Sequence, residues 1–289
     1  MNSIKQIEVL LADRLVGRLA LTKEGLCAFE YAPDWLGSGF SISPFELPLR
    51  SGVFIAKPRP FEGGFGVFDD CLPDGWGLLI VDRYLQQKGI NPRALTLLDR
   101  LALVGSSGRG ALEFRPDHSV VTRQDYADFE KLALEAERIL GSDEYQDRGG
   151  SPGGARPKIF ARYEGKEWLV KFRAKRDPQS IGVDEYRYSL LAKECGIEMP
   201  DTRLFEGKYF GVERFDRTLQ GKLHVVSVAG LIGADYRLPS IDYKHIFQVC
   251  AVLTHSVAEL WKVYRLMVFN YLIGNKDDHA KNFAFIHRD

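Results

Sequence analysis

The stretch from Leu266 to Ile286 reads LMVFNYLIGNKDDHAKNFAFI, and its interpretation decides the fold. Its first part is an apolar helix face carrying Met267, Phe269, Tyr271 and Leu272. Gly274 ends that pattern, and Asn275-Lys276-Asp277-Asp278-His279-Ala280-Lys281-Asn282 follows before a strand-like Phe283-Ala284-Phe285-Ile286. Two carboxylates, a histidine, two lysines and two asparagines thus fall within eight residues, between apolar walls. Anchoring on both sides is how a scaffold holds a reactive loop in place. An aspartate can orient an incoming hydroxyl and accept its proton, and an asparagine carboxamide can coordinate magnesium beside phosphates. On that chemistry Asp277 is the candidate catalytic base and Asn282, five residues on, the candidate metal ligand. Lys281 is suited to offset charge on a transferring phosphoryl group. His279 reads as a structural hydrogen-bonding group, because the loop already holds a carboxylate, and Asp278 as a cap or ligand.

Upstream of this loop the chain carries parts in the order that a nucleotide site requires. Gly149-Gly150-Ser151-Pro152-Gly153-Gly154-Ala155-Arg156-Pro157-Lys158 precedes a strand-like Ile159-Phe160-Ala161. Glycines let backbone amides approach phosphate oxygens, and Ser151 can add a hydroxyl, although a hinge has the same composition. In Glu167 to Phe172, alternation puts Trp168, Val170 and Phe172 on one face and Lys171 with Leu169 on the other. A helix holding Glu185 within Asp184 to Lys193 comes next. Loop, strand lysine and helix glutamate in sequence are what a kinase uses: the lysine holds phosphates and the glutamate orients it. Strands over Leu204 to Phe205 and Tyr209 to Phe215 follow. They place Asp216-Arg217 where the chain crosses between lobes, near the expected adenine edge. Helices over Tyr243 to Leu253 and Ser256 to Leu272 complete a second lobe. Ile246, Val249 and Cys250 line one, and Leu260, Tyr264, Met267, Val268 and Tyr271 line the other.

The first half reads differently. Strands are expected at Ile7 to Leu11, Leu15 to Leu21 and Leu26 to Tyr31, the first two joined by Ala12-Asp13-Arg14. Prolines and glycines then punctuate the chain up to Gly66. Helices are expected over Leu78 to Leu85, Pro92 to Val104 and Asp125 to Leu140. Gly105 to Gly110 is read as a tightly turning loop rather than a phosphate cradle. The 289 residues carry no formal net charge, with 45% apolar and 27% charged content, so no global field advertises nucleic acid or membrane. The four cysteines form no CxxC pair, and reduced thiols are expected. No run approaches a membrane span, and the start of the chain is a poor signal peptide.

Both halves resemble the HipA family of bacterial serine/threonine kinases, the toxin components of type II toxin–antitoxin pairs. FEGGFGVFDDCLPDGWGLLIVDRYL, from Phe61, resembles the family's amino-terminal domain. SPGGARPKI, from Ser151, resembles its phosphate-loop signature, and Leu266 to Phe285 its catalytic signature around NxDxHxxN. The resemblance implies an α+β HipA-like protein kinase fold with an N-terminal β-rich domain and a C-terminal helical lobe. The expected divisions are 1–142, an N-terminal domain; 143–217, a kinase N-lobe-like region; and 218–289, a partial C-lobe. ATP and Mg2+ are the implied cofactors. Ser151 matches a phosphate-loop serine whose autophosphorylation disfavours ATP binding, with Gly153, Gly154 and Ala155 beside it. Lys171 matches the ATP-contacting lysine, Asp277 the catalytic aspartate and Asn282 a magnesium ligand. Glu213 and Phe215 fall in the interlobe region, and His279 is grouped with the cofactor-binding residues.

The implied partners are a HipB-like DNA-binding antitoxin, with DNA reached only through it, and a protein substrate such as an aminoacyl-tRNA synthetase. A cytoplasmic location without membrane association follows. His224 to Ser240 falls where the family has an activation-loop-like insertion, but its text departs from the acidic-aromatic version. The family also carries a second metal-binding aspartate and a helical lobe after the catalytic loop. A chain ending at Asp289 is therefore expected to be truncated within that lobe and impaired in phosphoryl transfer. A non-catalytic binding protein on the same fold is the alternative. A metal hydrolase using Asp277, Asp278 and His279 comes third, since the other histidines form no compact ligand motif. His287-Arg288-Asp289 imitates a kinase triplet with no asparagine to follow.

Overall fold

The computed structural model describes residues 3–73, 75–119, 124–125, 129–140, 156–238 and 241–288. Strands β1 (Gln6–Leu11), β2 (Arg14–Leu21), β3 (Cys27–Tyr31), β4 (Val53–Ile55) and β5 (Leu112–Arg115) form an antiparallel sheet in the order β4-β3-β2-β1-β5. Ala12 and Asp13 join β1 to β2 with φ of 48° and 62°, the left-handed pair that a tight right-twisting hairpin demands. Alternation buries Val9, Leu19, Cys27 and Phe29 on the face covered by α1 (Pro33–Ser38), α2 (Gly66–Asp69) and α4 (Leu97–Val104). Helix α3 (Gly75–Gln87) lies outside this core and packs Trp76 and Leu79 against Ala136 of α5 (Phe129–Leu140).

A second sheet combines β6 (Gln124–Asp125), β7 (Lys158–Tyr163), β8 (Lys166–Lys171), β9 (Thr202–Phe205) and β10 (Tyr209–Glu213) in the order β6-β7-β8-β10-β9. Glu164-Gly165 and Glu206-Gly207 turn its two hairpins, all four residues at positive φ. Its inner face buries Trp168, Val170 and Phe172 with Phe129 and Phe205, each contributing roughly 1.5–3 kcal/mol. Helix α6 (Ile181–Glu194) crosses β9 and β10. Then come a small hairpin of β11 (Arg217–Thr218) and β12 (Gly221–Lys222), β13 (Val225–Ser227), α7 (Val228–Ile232), α8 (Tyr243–Thr254), α9 (Val257–Leu272) and β14 (Ala284–Ile286). Strand β14 returns to pair antiparallel with β13. The fold is thus an N-terminal β-rich region followed by a C-terminal helical region.

Three expectations need correction. The Pro92 to Val104 segment is a single 3-10 turn, Pro92–Ala94, and then α4, because Thr96 and Asp99 form a reciprocal capping box that starts the helix at Leu97. Gln124–Asp125 pairs in parallel with Ala161 and Arg162, so the third helix starts only at Phe129. On α9 the inward residues are Val263 and Leu266, whereas Tyr264 is 46% and Tyr271 84% exposed. That helix is apolar on most sides, and its rotation is set by the polar grip of Asn270 on Tyr243. Asp216 lies just after β10, next to β11. It is buried and receives hydrogen bonds from Arg214, Arg217 and the Gly110 amide. Burial alone would raise the Asp216 carboxyl, but the guanidiniums hold it below the usual range.

The two halves share one core. Val226, Leu231 and Val249 sit in the same cluster as Phe29, Phe68 and Leu101. Helices α2 and α7 touch through Gly66 and Gly230, where a methyl on Gly66 would fall on the Gly230 Cα and carbonyl oxygen. Beside them the buried Asp70 accepts from the Ser227 amide at 2.6 Å and hydroxyl at 2.8 Å. Burial raises the Asp70 carboxyl, only partly offset by those two bonds. Arg214 and Arg217 donate to the Gly108 carbonyl, and Arg217 also to that of Gly110. His224 Nε2 donates to the Ile42 carbonyl at 2.8 Å.

Overpacking the glycine contact has a measurable consequence: Gly66→Ala is expected to lower stability by about 1–3 kcal/mol, read as a lower urea midpoint at unchanged slope. The junction also carries a pH signature. Burial pushes the His224 imidazole down to about 4 from its ordinary 6.5. The unfolded chain therefore takes up a proton that the native state refuses, so stability is full above about 6.5 and is lost as pH falls toward 4. The difference in urea midpoint between pH about 7 and about 5 is expected to shrink in His224→Gln.

Candidate functional site

Lys171 ends β8, hydrogen-bonded into the sheet between β7 and β10. Because its neighbours Val170 and Phe172 point into the core, its own side chain leaves by the opposite face. There the ammonium lies 5.4 Å from the Phe210 ring and donates to Glu185 on α6 at 2.8 Å. Arg156 flanks the pair, 3.7 Å from Glu185 and 3.2 Å from Asp177. A strand cation and a helix carboxylate are thereby held together beside the segment that leads out of the glycine-rich loop.

The polar loop is built from its own backbone. Gly274, at φ 65°, ends α9, and Asn275 Oδ1 accepts from the Asp277 amide at 3.0 Å. The Asn282 amide donates to the His279 carbonyl at 2.9 Å, and Asn282 Nδ2 donates to the Asp277 carbonyl at 2.6 Å. Asn282 Oδ1 is left as the free end of that carboxamide among the described residues. Further contacts tie the loop to the scaffold. The carbonyls of Ala280 and Phe283 accept from the amides of Ala229 and Val228 on α7. The Tyr243 hydroxyl donates to Asp278 Oδ2 at 2.6 Å and receives Asn270 Nδ2 at 2.9 Å. Burial, then the Asp278 carboxylate, push the Tyr243 phenol up, so it stays a donor.

Within this frame Asp278 is committed to structure and its neighbour Asp277 is open, with a side chain 65% exposed and His279 Nε2 at 3.4 Å. Lys281 reaches across to the N-terminal half. It donates to Asp69 Oδ2 on α2 at 2.9 Å and lies 4.6 Å from the Tyr236 ring. Burial would lower its ammonium, but Asp69 more than compensates and holds it above the ordinary lysine range. Among the described residues no three or more His, Cys, Asp and Glu are placed to hold a metal. Any cation here would rest on Asn282, Asp277 and the oxygens of its own ligand.

A profile described as the HipA N-terminal domain matches residues 7–115, and one described as the HipA-like C-terminal domain matches residues 150–289. The chain belongs to the HipA family. The Y4dM protein of Sinorhizobium fredii is 27% identical over 322 aligned positions, spanning 100% of this chain and 75% of that protein. The serine/threonine-protein kinase toxin HipA of Shewanella oneidensis is 24% identical over 327 positions, spanning 96% of this chain and 71% of the relative. A solved Shewanella oneidensis MR-1 complex of HipA, HipB and operator DNA contains a chain that superposes with a TM-score of 0.71 at 22% identity, covering 97% of this chain and 72% of its own. The HipA-like fold is thus shared across nearly all of the present chain.

Of the residues singled out in the sequence, Ser151, Gly153, Gly154 and Ala155 lie outside the described residues. Lys171 and Glu185 are joined. Asp277, His279 and Asn282 are gathered in one loop turn, while Lys281 leans toward α2. Glu213 is engaged by Lys166 at 2.7 Å, and Phe215 is exposed. No hydrogen bond or ion pair among the described residues runs from the Lys171–Glu185 pair to the loop. Sequence reading missed Tyr243, Asn270 and Asp69. An asparagine inside an apolar helix was the available signal for one of them, because a buried carboxamide needs partners.

No helix among the described residues is long and apolar enough to cross a membrane. Cys27, Cys71 and Cys250 are buried free thiols and Cys195 an exposed one. Removing the hydroxyl that grips Asp278 tests the loop frame. Tyr243→Phe leaves a carboxylate and a carboxamide without their shared partner and is expected to cost about 1–3 kcal/mol. Faster amide exchange across 275–282 is the direct readout.

Proposed function

We propose that the chain is a HipA-type serine/threonine protein kinase that transfers the γ-phosphate of ATP to a protein hydroxyl. The observation that carries this reading is the Lys171–Glu185 ion pair, 2.8 Å across strand and helix, downstream of the glycine-rich segment. In this reading Lys171 grips the nucleotide phosphates, Glu185 fixes its direction, and Gly153, Gly154 and Ala155 belong to the nucleotide-binding segment. Asp277 orients a serine or threonine hydroxyl and takes its proton as the oxygen bonds to the γ-phosphorus and the bond to ADP breaks. The open carboxylate of Asp277 supports that assignment, as the tethered Asp278 supports a structural role for its neighbour. The donor set is hard oxygen, which suits magnesium. Asn282 would hold that ion, which supplies charge neutralisation at the phosphates when bound.

Phe215 is proposed to flank the adenine with the Glu213 backbone beside it, and His279 to brace the loop against the nucleotide. Ser151 is proposed as a regulatory phosphorylation site, where added charge would oppose a bound triphosphate. The same reading divides the chain into an N-terminal domain over 1–142, an N-lobe over 143–217 and C-lobe elements over 218–289. A HipB-like antitoxin, DNA through that antitoxin, a translation-related protein substrate and a cytoplasmic setting are proposed on family grounds.

The test is phosphate transfer from γ-labelled ATP with MgCl2, to the chain itself and to a generic protein acceptor. Lys171→Ala and Asp277→Asn are each expected to lower transfer by about a hundredfold or more. EDTA is expected to abolish transfer in the parent chain. Magnesium-dependent ATP binding without any transfer would instead favour a non-catalytic binding protein on the same fold.

A further inference from the structure

The carboxylate that holds Lys281 comes from the other end of the chain, 212 residues away, on α2 beneath the N-terminal sheet. We propose that Asp69 is a positioning residue for phosphoryl transfer, holding the Lys281 ammonium where it meets the transferring phosphoryl group. This rests on the kinase reading above.

A lysine lacks a fixed direction of its own. Its long stem has several rotatable bonds, and a lysine on a loop spends little time in one place. Here the backbone on the near side is fixed, because the Ala280 carbonyl accepts from the Ala229 amide at 3.2 Å. The far end is fixed as well: Asp69 takes one N–H at 2.9 Å, and the Tyr236 ring covers another side at 4.6 Å. An ammonium has three donors, so capacity remains for an anionic oxygen. The side chains of the pair are only 21% and 17% exposed, so solvent screens the contact weakly. Asp69 sits on a packed element. Its helix is locked by the Gly66–Gly230 contact, and the next residue, Asp70, is bonded twice to Ser227. The geometry is that of a loop lysine held at both its backbone and its ammonium. The N-terminal β-rich region then completes the active site.

The experiment uses the full chain and compares the parent, Asp69→Ala, Lys281→Ala and the double variant in the ATP–MgCl2 assay. Asp69→Ala is expected to lower kcat by about ten- to a hundredfold, with KM for ATP within about threefold of the parent. In the Lys281→Ala background the same change is expected to have no further effect beyond about twofold. Losses that multiply in the double variant, or a loss confined to KM, would overturn the proposal. A second readout needs no turnover: acetylation of Lys281 by an activated ester, followed by peptide mass spectrometry. Labelling is expected to be faster in Asp69→Asn than in the parent, and equal rates would overturn the contact itself. An inactive parent chain overturns the kinase reading and this proposal together. An active parent with an equally active Asp69→Ala overturns this proposal alone.

Discussion

At the junction of α2 and α7, Gly66 meets Gly230 with no room for a side chain on either, and the buried Asp70 is bonded into Ser227 beside them. The remaining architecture depends on that approach. It brings β13 against the first sheet's core through Val226, and β13 in turn receives β14 from beyond the polar loop. The loop is therefore suspended between two supports, α9 on its entry side and the β13–β14 ladder on its exit. A few tenths of an ångström at the glycine contact would be transmitted to both, because packed interiors do not absorb such changes locally.

Electrostatics at the junction is arranged by depth. Asp70, Arg214 and Asp216 are buried with Arg217 at their edge, and their charges are matched to backbone amides and carbonyls as well as to each other. Buried ionic groups of this kind contribute little net stability, yet removing one member is costly because the others are left unpaired. Their value is in fixing which carbonyl of the Gly105–Gly110 turn meets which arginine. The Lys171–Glu185 pair and Asp277 lie nearer solvent, where a ligand can compete for them.

Much of the fold was legible in the text of the chain. The alternation of Trp168, Val170 and Phe172 located β8 and predicted which way Lys171 leaves it, because a period of two has only one inward solution when one set is aromatic and aliphatic. The polar run after Gly274 was legible as a loop for the same local reason. Errors arose where local signals competed. Thr96 and Asp99 overrode the apolar periodicity that runs back to Pro92, and the all-round apolarity of α9 hid the side that Asn270 would fix. Contacts across the chain were not legible at all. Asp69 and Asp70 stand in a quoted motif, but their partners Lys281 and Ser227 are fixed only by tertiary packing.

The shared core has a further consequence for how the molecule comes apart. Val226, Leu231 and Val249 bury against the first sheet rather than forming a separate nucleus. Cutting the chain between its two family segments would leave apolar surface bare on both products, and each would be prone to associate. The two segments share one packed core. Divergence in either is constrained by the other, so an exchange of halves between relatives would have to carry its α2–α7 seam along.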